Sequence, residues 1–222
     1  MILPVVAALI AVPTRTVVFV GNSLTGNNDV PAKTVALLNK VAPEFNWQAK
    51  YFGCGHLDDA LNDGRVTKSL QAGPYAVVLQ AQMISMSHKI RYSQDAARKL
   101  SSTAREKGSK VYFFAEWPRR GIDETAYIEG IYREIADATK ANVIPVGRVW
   151  DFVLAQQKRQ DLFMGDGNHA AEAGSALAAT VIARGVLGTS IKGQVAEGVP
   201  RDMAGVLIKG IERVYPTVKS GS

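Results

Sequence analysis

Residues 16–26 read TVVFVGNSLTG, and this stretch decides how the fold of the whole chain is interpreted. Its first half, Thr16–Val20, is an unbroken run of β-branched and aromatic residues, which is typical of a strand covered on both faces of a sheet. Its second half begins with a glycine and continues with small polar residues, which are typical of the turn between a strand and a helix. The stretch therefore predicts a buried strand with a polar turn at its carboxyl end.

The same alternation continues along the chain, with short apolar runs separated by longer segments of helical periodicity. The predicted strands are Thr16–Val20, Trp47–Phe52, Ala76–Leu79, Lys110–Ala115 and Val143–Val146. The predicted helices are Val30–Val41, Leu57–Leu70, Ser93–Lys107, Glu124–Lys140, Ala170–Leu187 and Arg201–Val214. Strands that alternate with helices of this length imply crossover connections and a parallel sheet. We therefore predict that residues 16–222 form one open three-layer α/β domain with a five-stranded parallel sheet.

The composition excludes several classes of protein. A chain of 222 residues that is 47% hydrophobic and 21% charged is neither disordered nor fibrous. Its single cysteine, Cys54, excludes an intramolecular disulfide framework and a thiolate-rich zinc site. The net charge is +6, but the basic residues are scattered in small pairs such as Arg98–Lys99 and Arg119–Arg120. Nucleic-acid binding needs clustered basic residues, so we expect no nucleic-acid partner.

Residues 1–15 form an apolar leader ahead of the predicted domain. Its hydrophobic part, Ile2–Val12, is far shorter than the roughly 20 residues that cross a bilayer. No Lys or Arg precedes it and no clean A-x-A site follows it, as a complete signal peptide would require. Two interpretations stay open: an incomplete signal peptide of a secreted or periplasmic protein, or an apolar leader packed on a cytoplasmic one. The polar break at Pro13–Arg15 favours the first, and no later segment predicts membrane integration.

The turn after the first predicted strand, Gly21–Gly26, could serve three kinds of chemistry. It has the glycine spacing of a phosphate-binding loop, but Asn27–Asn28 stand where the lysine and the magnesium-binding hydroxyl belong. It is close to the nucleophile elbow of lipases, but Thr25 stands where the second glycine belongs. The third interpretation is an exposed nucleophile, Ser23, at the sheet edge where open α/β proteins carry their functional loops. On its own, the tripeptide Gly-Asn-Ser is better explained as a plain polar connection.

A second candidate segment lies near the C-terminus, where residues 165–169 read GDGNH. Asp166 stands three positions before His169, and Gly167 between them lets the loop direct both side chains to one side. An aspartate bound to imidazole Nδ1 fixes the tautomer and leaves Nε2 free as a base. The alternative is a helix N-cap beside a solvent-exposed histidine. A metal site is disfavoured, because no second His or Cys lies at ligand spacing.

The small number of histidines links these two segments. The chain contains three, and His56 has acidic neighbours that suit the start of a helix. His88 has no Asp or Glu nearby in the sequence, whereas His169 has an orienting carboxylate at short range. If Ser23 is a nucleophile, elimination therefore favours a Ser23–His169–Asp166 triad.

With both segments in place, the chain resembles the SGNH/GDSL hydrolase superfamily. Gly21–Leu24 corresponds to the G-D-S block that follows the first strand in that superfamily, and Asp166–His169 corresponds to its D-x-x-H block. The resemblance spans Thr16–Leu187. It implies a flavodoxin-like three-layer α/β/α fold, a Ser-His-Asp triad, and neither a cofactor nor a metal. Asn22 replaces the aspartate of the first block, and we expect it to organise the turn beside the substrate.

The two middle blocks of the superfamily are altered in this chain. Its glycine block, whose backbone N–H joins the oxyanion hole, corresponds to Gly55, with Gly53 as the alternative. In place of G-x-N-D the chain has Leu79–Gln82, as some poorly characterised branches of the superfamily do. Gln80 then replaces the glycine, and Gln82 replaces the asparagine whose side chain donates to the oxyanion. The glutamine amide is displaced by one methylene, so we expect weaker oxyanion stabilisation without a change of reaction.

The resemblance implies hydrolysis of O-acyl esters, with a short-chain or acetyl group, through an acyl-enzyme. The predicted oxyanion donors are the backbone N–H groups of Ser23 and Gly55 and the side-chain amide of Gln82. The predicted contacts to a small-molecule or carbohydrate ester are Asn22, Gln80 and Trp117, although Trp117 is equally compatible with a role in closing the core. The alternative function is a catalytically weak or inactive carbohydrate-binding protein with the same fold. The sequence does not predict an oligomeric state.

Overall fold

The structure is a computed structural model that describes residues 12–82, 84 and 92–215. Its strands are β1 (Thr14–Gly21), β2 (Asn46–Gly53), β3 (Ala76–Leu79), β4 (Lys110–Ala115) and β5 (Asn142–Pro145). Its helices are α1 (Ser23–Gly26), α2 (Val30–Val41), α3 (Leu57–Asn62), α4 (Gly64–Gln71), α5 (Asp95–Glu106), α6 (Thr125–Thr139), α7 (Val146–Gln157), α8 (Glu172–Leu187) and α9 (Arg201–Val214). His88 and residues 1–11 of the predicted leader lie outside the described residues.

The strands form one sheet in the order β2-β1-β3-β4-β5, and every neighbouring pair is parallel. This is the flavodoxin-like strand order, so the predicted fold is confirmed. Strand β2 lies beside one edge of β1 and strand β3 lies beside the other, so the strand order reverses at β1. Open α/β sheets bind ligands at such a switch point, outside the carboxyl ends of the strands. The turn after β1 and the segment after β3 meet at this place.

Alternate residues of each strand enter two separate apolar layers. In β1, Val17 and Phe19 enter one layer and Val18 and Val20 enter the other, and all four are 0% exposed. Helices α2, α7, α8 and α9 cover the first layer, and α3, α4, α5 and α6 cover the second. Both faces of the central strands β1, β3 and β4 are therefore buried, which explains their apolar runs, whereas the edge strand β2 is mostly exposed or half-buried.

Helix α7 is an element that the sequence predictions omit. It begins directly after β5 ends at Pro145, so that Val146 is its first residue and not the end of a strand. Its buried face has helical spacing, formed by Val146, Val149, Trp150 and Val153. The periodic signal was therefore present in the sequence but was hidden behind the β-branched run that precedes it.

The predicted helix Leu57–Leu70 is divided into α3 and α4. The break lies at Asp63, whose backbone is extended and whose side chain accepts a hydrogen bond from the Arg65 N–H at 2.9 Å. An aspartate that caps a new helix in this way competes with continuation of the old one. The other predicted helices agree with the structure to within two residues at each end.

Helix α8 is apolar on almost every side because it lies inside the protein. It packs between α2 and α7, and residues such as Leu177, Val181 and Ile182 are 0% exposed. Its glycines and alanines allow close approach: a Cβ at Gly174 would lie 2.2 Å from the Leu162 carbonyl oxygen. Within the described ranges, no helix is both long and apolar enough to cross a membrane.

Candidate active site

The candidate nucleophile Ser23 lies at the carboxyl edge of β1, as the first residue of α1. Asn22 caps this short helix, and its side-chain oxygen accepts a hydrogen bond from the Leu24 N–H at 2.9 Å. Glycine is required at position 21, because a Cβ on Gly21 would lie 2.2 Å from Thr25 Oγ1. These contacts turn the chain sharply at the end of the strand and leave Ser23 exposed.

The structure brings Ser23, His169 and Asp166 into one hydrogen-bonded row. Ser23 Oγ lies 2.8 Å from His169 Nε2, although the two residues are 146 positions apart. His169 Nδ1 lies 2.5 Å from Asp166 Oδ2. The bond to His169 and two backbone N–H bonds hold the pKa of Asp166 well below its usual range. An ionised Asp166 assigns the proton to Nδ1 and leaves the Nε2 lone pair facing the serine hydroxyl.

Backbone contacts fix the loop that carries the histidine. Gly167 has a φ of +67°, a left-handed conformation that glycine adopts without strain. Its carbonyl accepts a hydrogen bond from the Arg120 N–H at 2.8 Å, and the Asn168 carbonyl accepts one from Trp117 Nε1 at 2.9 Å. The His169 carbonyl accepts the Met164 N–H at 2.8 Å. The imidazole is therefore attached to a loop that is held on both sides.

Trp117 is a support for this loop and not a stacking platform. It is 3% exposed, and its ring stacks on Trp150 with centroids 4.7 Å apart and an interplanar angle of 14°. A ring with so little exposed surface offers no open face to a sugar. Stacking of Trp117 on a sugar ring is therefore disfavoured, and of the two roles left open by the sequence, closing the core describes Trp117 better.

The two glutamines after β3 differ from their predicted roles. Gln80 is 1% exposed, and its Oε1 accepts hydrogen bonds from the Asn22 N–H at 3.1 Å and the Thr25 hydroxyl at 2.9 Å. It therefore lies beneath the Ser23 turn, out of reach of a substrate. Gln82 is 5% exposed, and its amide nitrogen donates to the Ser93 carbonyl at 2.8 Å. That engagement differs from the predicted role of Gln82 as an oxyanion donor.

Gly55 lies at the same edge of the sheet as Ser23. The β1–β2 register pairs Gly21 with Gly53, two residues before it, and the Cys54 N–H donates to the Gly21 carbonyl at 3.0 Å. Within the described part of the chain, no acceptor binds the Gly55 N–H. The Ser23 N–H has no intrahelical acceptor either, since it begins α1. These two N–H groups have the free donor capacity that an oxyanion hole needs.

A cavity of about 250 Å³ adjoins Ser23 and His169. Its apolar wall is formed by Leu24, Ile84, Tyr92, Trp117 and Ile128. Its polar lining includes Asn22, as predicted for a residue beside the substrate, and also Glu116, Arg119 and Glu124. A larger cavity of about 610 Å³ lies among α6, β5, α8 and α9 and contains none of the triad residues. Among residues 12–82, 84 and 92–215, no cluster of three or more His, Cys, Asp and Glu side chains could hold a metal ion.

Sequence reasoning missed two residues near the nucleophile. The Tyr51 hydroxyl lies 3.2 Å from the Gly21 carbonyl oxygen and 3.1 Å from that of Asn22, so it donates to the turn from the β2 side. Glu116 directly follows β4 and is 5% exposed, and burial raises its pKa to about 7. Its position at the carboxyl end of a strand was a usable signal, whereas the Tyr51 contact depends on the β1–β2 register.

Comparison with solved structures identifies the fold of the chain. No protein-family model matches the chain, and no curated protein matches it. A structure from Slackia heliotrinireducens, proposed to be an SGNH hydrolase, is 23% identical over 77% of this chain and 98% of its own, with a TM-score of 0.58. The chain has the SGNH hydrolase fold. The resemblance drawn from the two sequence blocks is thereby confirmed at the level of the fold.

Other solved structures share the SGNH fold with this chain. A DUF4886 family protein from Bacteroides uniformis is 14% identical, covers 91% of this chain and 96% of its own, and has a TM-score of 0.70. A family 3 carbohydrate esterase from Clostridium thermocellum is 12% identical, covers 78% of this chain and 98% of its own, and has a TM-score of 0.58. At these identities the likeness concerns the fold, and the roles of single residues depend on the geometry of the site.

Proposed function

We propose that the protein is a serine hydrolase of O-acyl esters in which Ser23 is the nucleophile, His169 the base and Asp166 the orienting acid. The observation that carries the proposal is the hydrogen-bonded row from Ser23 Oγ through the imidazole to the Asp166 carboxylate. The row ends on an exposed hydroxyl at the edge of a cavity, which is the arrangement that acyl transfer requires.

The reaction follows from the order of the three groups. Ser23 Oγ attacks the ester carbonyl carbon while His169 Nε2 accepts the hydroxyl proton. Asp166 stabilises the imidazolium that forms. Collapse of the tetrahedral intermediate breaks the bond to the alcohol oxygen, which takes the proton from His169 and leaves. Water, deprotonated by His169, then hydrolyses the acyl-serine by the same steps and regenerates Ser23.

The oxyanion hole in this proposal consists of the Ser23 and Gly55 backbone N–H groups. Gln82 is left out, because its amide nitrogen is directed at the Ser93 carbonyl and the residue does not line the cavity beside Ser23. A single donor in such a site contributes about 2.7–4 kcal/mol to transition-state stabilisation. A hole without a side-chain donor therefore predicts a slower enzyme than one with three donors, acting by the same reaction.

The cavity favours a small acyl group. Its volume of about 250 Å³ is below the roughly 300–1,000 Å³ of sites that enclose drug-sized ligands. Leu24, Ile84 and Ile128 offer apolar contact to a short alkyl chain. The carbohydrate esterase among the structural neighbours makes a sugar-like alcohol a reasonable leaving group, and we propose acetylated or short-chain esters of such alcohols as substrates.

A fluorophosphonate probe and p-nitrophenyl acetate together test the proposal. Wild-type protein should be labelled on Ser23 and should turn over the ester, whereas Ser23→Ala should do neither. Ser102→Ala, which removes an exposed serine on α5, is the matched control and should behave as wild type. Labelling of Ser23→Ala at the wild-type rate would show that another residue is the nucleophile.

One observation favours a second candidate function, a carbohydrate-binding protein with little or no hydrolase activity. The Gln82 amide is engaged with Ser93, so the site lacks the side-chain donor of its superfamily. This candidate predicts that wild-type protein resists the probe but binds oligosaccharides in a calorimetric titration. Efficient labelling of Ser23 excludes it.

A further inference from the structure

The Gln80 side chain fills the space beneath the turn that carries Ser23. Its single oxygen, Oε1, accepts the Asn22 N–H at 3.1 Å and the Thr25 hydroxyl at 2.9 Å. These two donors lie on either side of Ser23 in the sequence. One buried acceptor therefore holds both the entry and the exit of the turn.

The sheet determines where this side chain starts, and Gly21 makes room for its end. The Gln80 N–H donates to the Val20 carbonyl at 2.9 Å, which continues the β1–β3 pairing by one bond. A Cβ on Gly21 would lie 2.9 Å from Gln80 Oε1, so a larger residue at position 21 would displace the amide. The position of the Gln80 side chain therefore depends on a glycine at position 21 of the neighbouring strand.

Donor chemistry fixes which way the amide points. The Asn22 N–H can only donate, so the atom that it meets must be the glutamine oxygen. Nε2 then faces Glu116, whose carboxyl also faces the Tyr132 hydroxyl, and both groups oppose the rise of the Glu116 pKa that burial causes. The contact is looser than a regular hydrogen bond, because Gln80 Nε2, Glu116 Oε2 and Tyr132 OH each lie without a partner in hydrogen-bonding geometry. The orientation of the amide is therefore fixed by the Asn22 N–H and the Thr25 hydroxyl, and not by Glu116.

We propose that Gln80 is a positioning residue for the nucleophile, which holds the turn so that Ser23 Oγ stays within reach of His169 Nε2. The inference rests on the proposed hydrolase function. It explains why the chain has glutamine where its superfamily has glycine: the side chain acts from below the turn and does not contact substrate.

The expected effect on catalysis is large because reaction rates depend steeply on geometry. Removal of the Gln80 acceptor would break the hydrogen bonds from the half-buried Asn22 N–H and the buried Thr25 hydroxyl, and the turn would shift in response. A misplacement of about 1 Å at a reacting group is enough to lower a rate roughly 10²-fold. Substrate affinity should change little, because Gln80 does not line the cavity.

One single and one double variant distinguish loss of the hydrogen-bond acceptor at position 80 from loss of packing there. Gln80→Met keeps the length of the side chain but has no acceptor, and we expect probe labelling of Ser23 and kcat to fall about 10²-fold with KM nearly unchanged. The exchanged pair, Gln80→Glu with Glu116→Gln, keeps an acceptor at position 80 and a donor at position 116. It should label within a few-fold of the wild-type rate.

The control variant is Thr180→Val, which removes a buried hydroxyl that accepts the Ala196 N–H at 3.0 Å, on a helix that does not form the turn. It should lower the melting temperature but leave the labelling rate unchanged. The inference fails if Gln80→Met labels as fast as wild type, or if Thr180→Val slows labelling as much as Gln80→Met does. Absence of labelling in wild-type protein is a different result, which overturns the proposed function and this inference with it.

Discussion

The buried carboxyl of Glu116 should make the stability of the protein depend on pH in an unusual direction. Burial raises its pKa from the ordinary 4.5 to about 7, and the nearby Glu124 adds to the rise while Tyr132 and Gln80 oppose it. The native state therefore keeps a proton that the unfolded chain has already released. The contribution of Glu116 to stability is greatest below about pH 4.5, falls as the pH rises, and becomes level above about pH 7.

The size of the effect follows from the two pKa values. Each pKa unit corresponds to about 1.4 kcal/mol, so Glu116 accounts for a loss of about 3 kcal/mol between pH 4.5 and pH 7. For a domain of this size, 1 kcal/mol shifts the melting temperature by about 2–4 °C, so the loss amounts to roughly 6–12 °C. Glu116→Gln has the same shape without an ionisable group and should remove this part of the pH dependence.

Thermal unfolding monitored by circular dichroism at pH 4.5, 5.5, 6.5 and 7.5 measures the difference between the two proteins. Relative to Glu116→Gln, the melting temperature of wild type should fall as the pH rises from 4.5 to 7.5. Asp151 has a pKa raised by burial in the same direction, but both proteins share it, so their difference isolates Glu116. Glu134→Gln, on the exposed side of α6, is the matched control and should follow wild type. If Glu116→Gln keeps the full pH dependence of wild type, the carboxyl is not buried as described.

Three further predictions concern the site. Asp166→Asn presents an amide to His169 and favours the wrong tautomer, so kcat for p-nitrophenyl acetate should fall about 10⁴-fold; a loss below tenfold would contradict the orienting role. Trp117→Phe removes the donor to the Asn168 carbonyl, which should lower the free energy of unfolding by about 1 kcal/mol and kcat several-fold, as measured by urea unfolding and steady-state kinetics. Gln82→Met should keep kcat within about threefold, because the amide is engaged with Ser93; a 10²-fold loss would return Gln82 to the oxyanion hole.

Local sequence signals predicted the frame of the site well. The run at residues 16–20 and the helical periodicity after it depend on burial of nearby residues, so the parallel sheet and the position of Ser23 followed from them, whereas the flavodoxin-like strand order was implied by the family resemblance. Asp166 and His169 were found because the spacing within one loop is a local property. The scarcity of histidines then restricted the choice of base.

The roles of the long polar and aromatic side chains could not be predicted in the same way. The direction of the Gln80 amide is decided by two donors in the turn after β1, and the absence of a Cβ on Gly21 leaves room for it. The burial of Trp117 could not be predicted without α7, because its stacking partner Trp150 belongs to that helix. Without that helix, the sequence left the two roles of Trp117 open.

The distance along the chain between Ser23 and His169 has a consequence for biosynthesis. During translation the serine is made early, and it has no base until the ribosome has added the 146 residues that separate the two. The loop of His169 also depends on the docking of α8, because Asn28 beside the serine turn donates to the Ala170 carbonyl at 3.1 Å and to Ser175 Oγ at 3.0 Å. Contacts of such high contact order form late in folding. In a nascent or partly folded chain the Ser23 hydroxyl therefore has no base and does not react with the probe. The rate at which probe labelling returns during refolding measures how fast the contact between Ser23 and His169 forms.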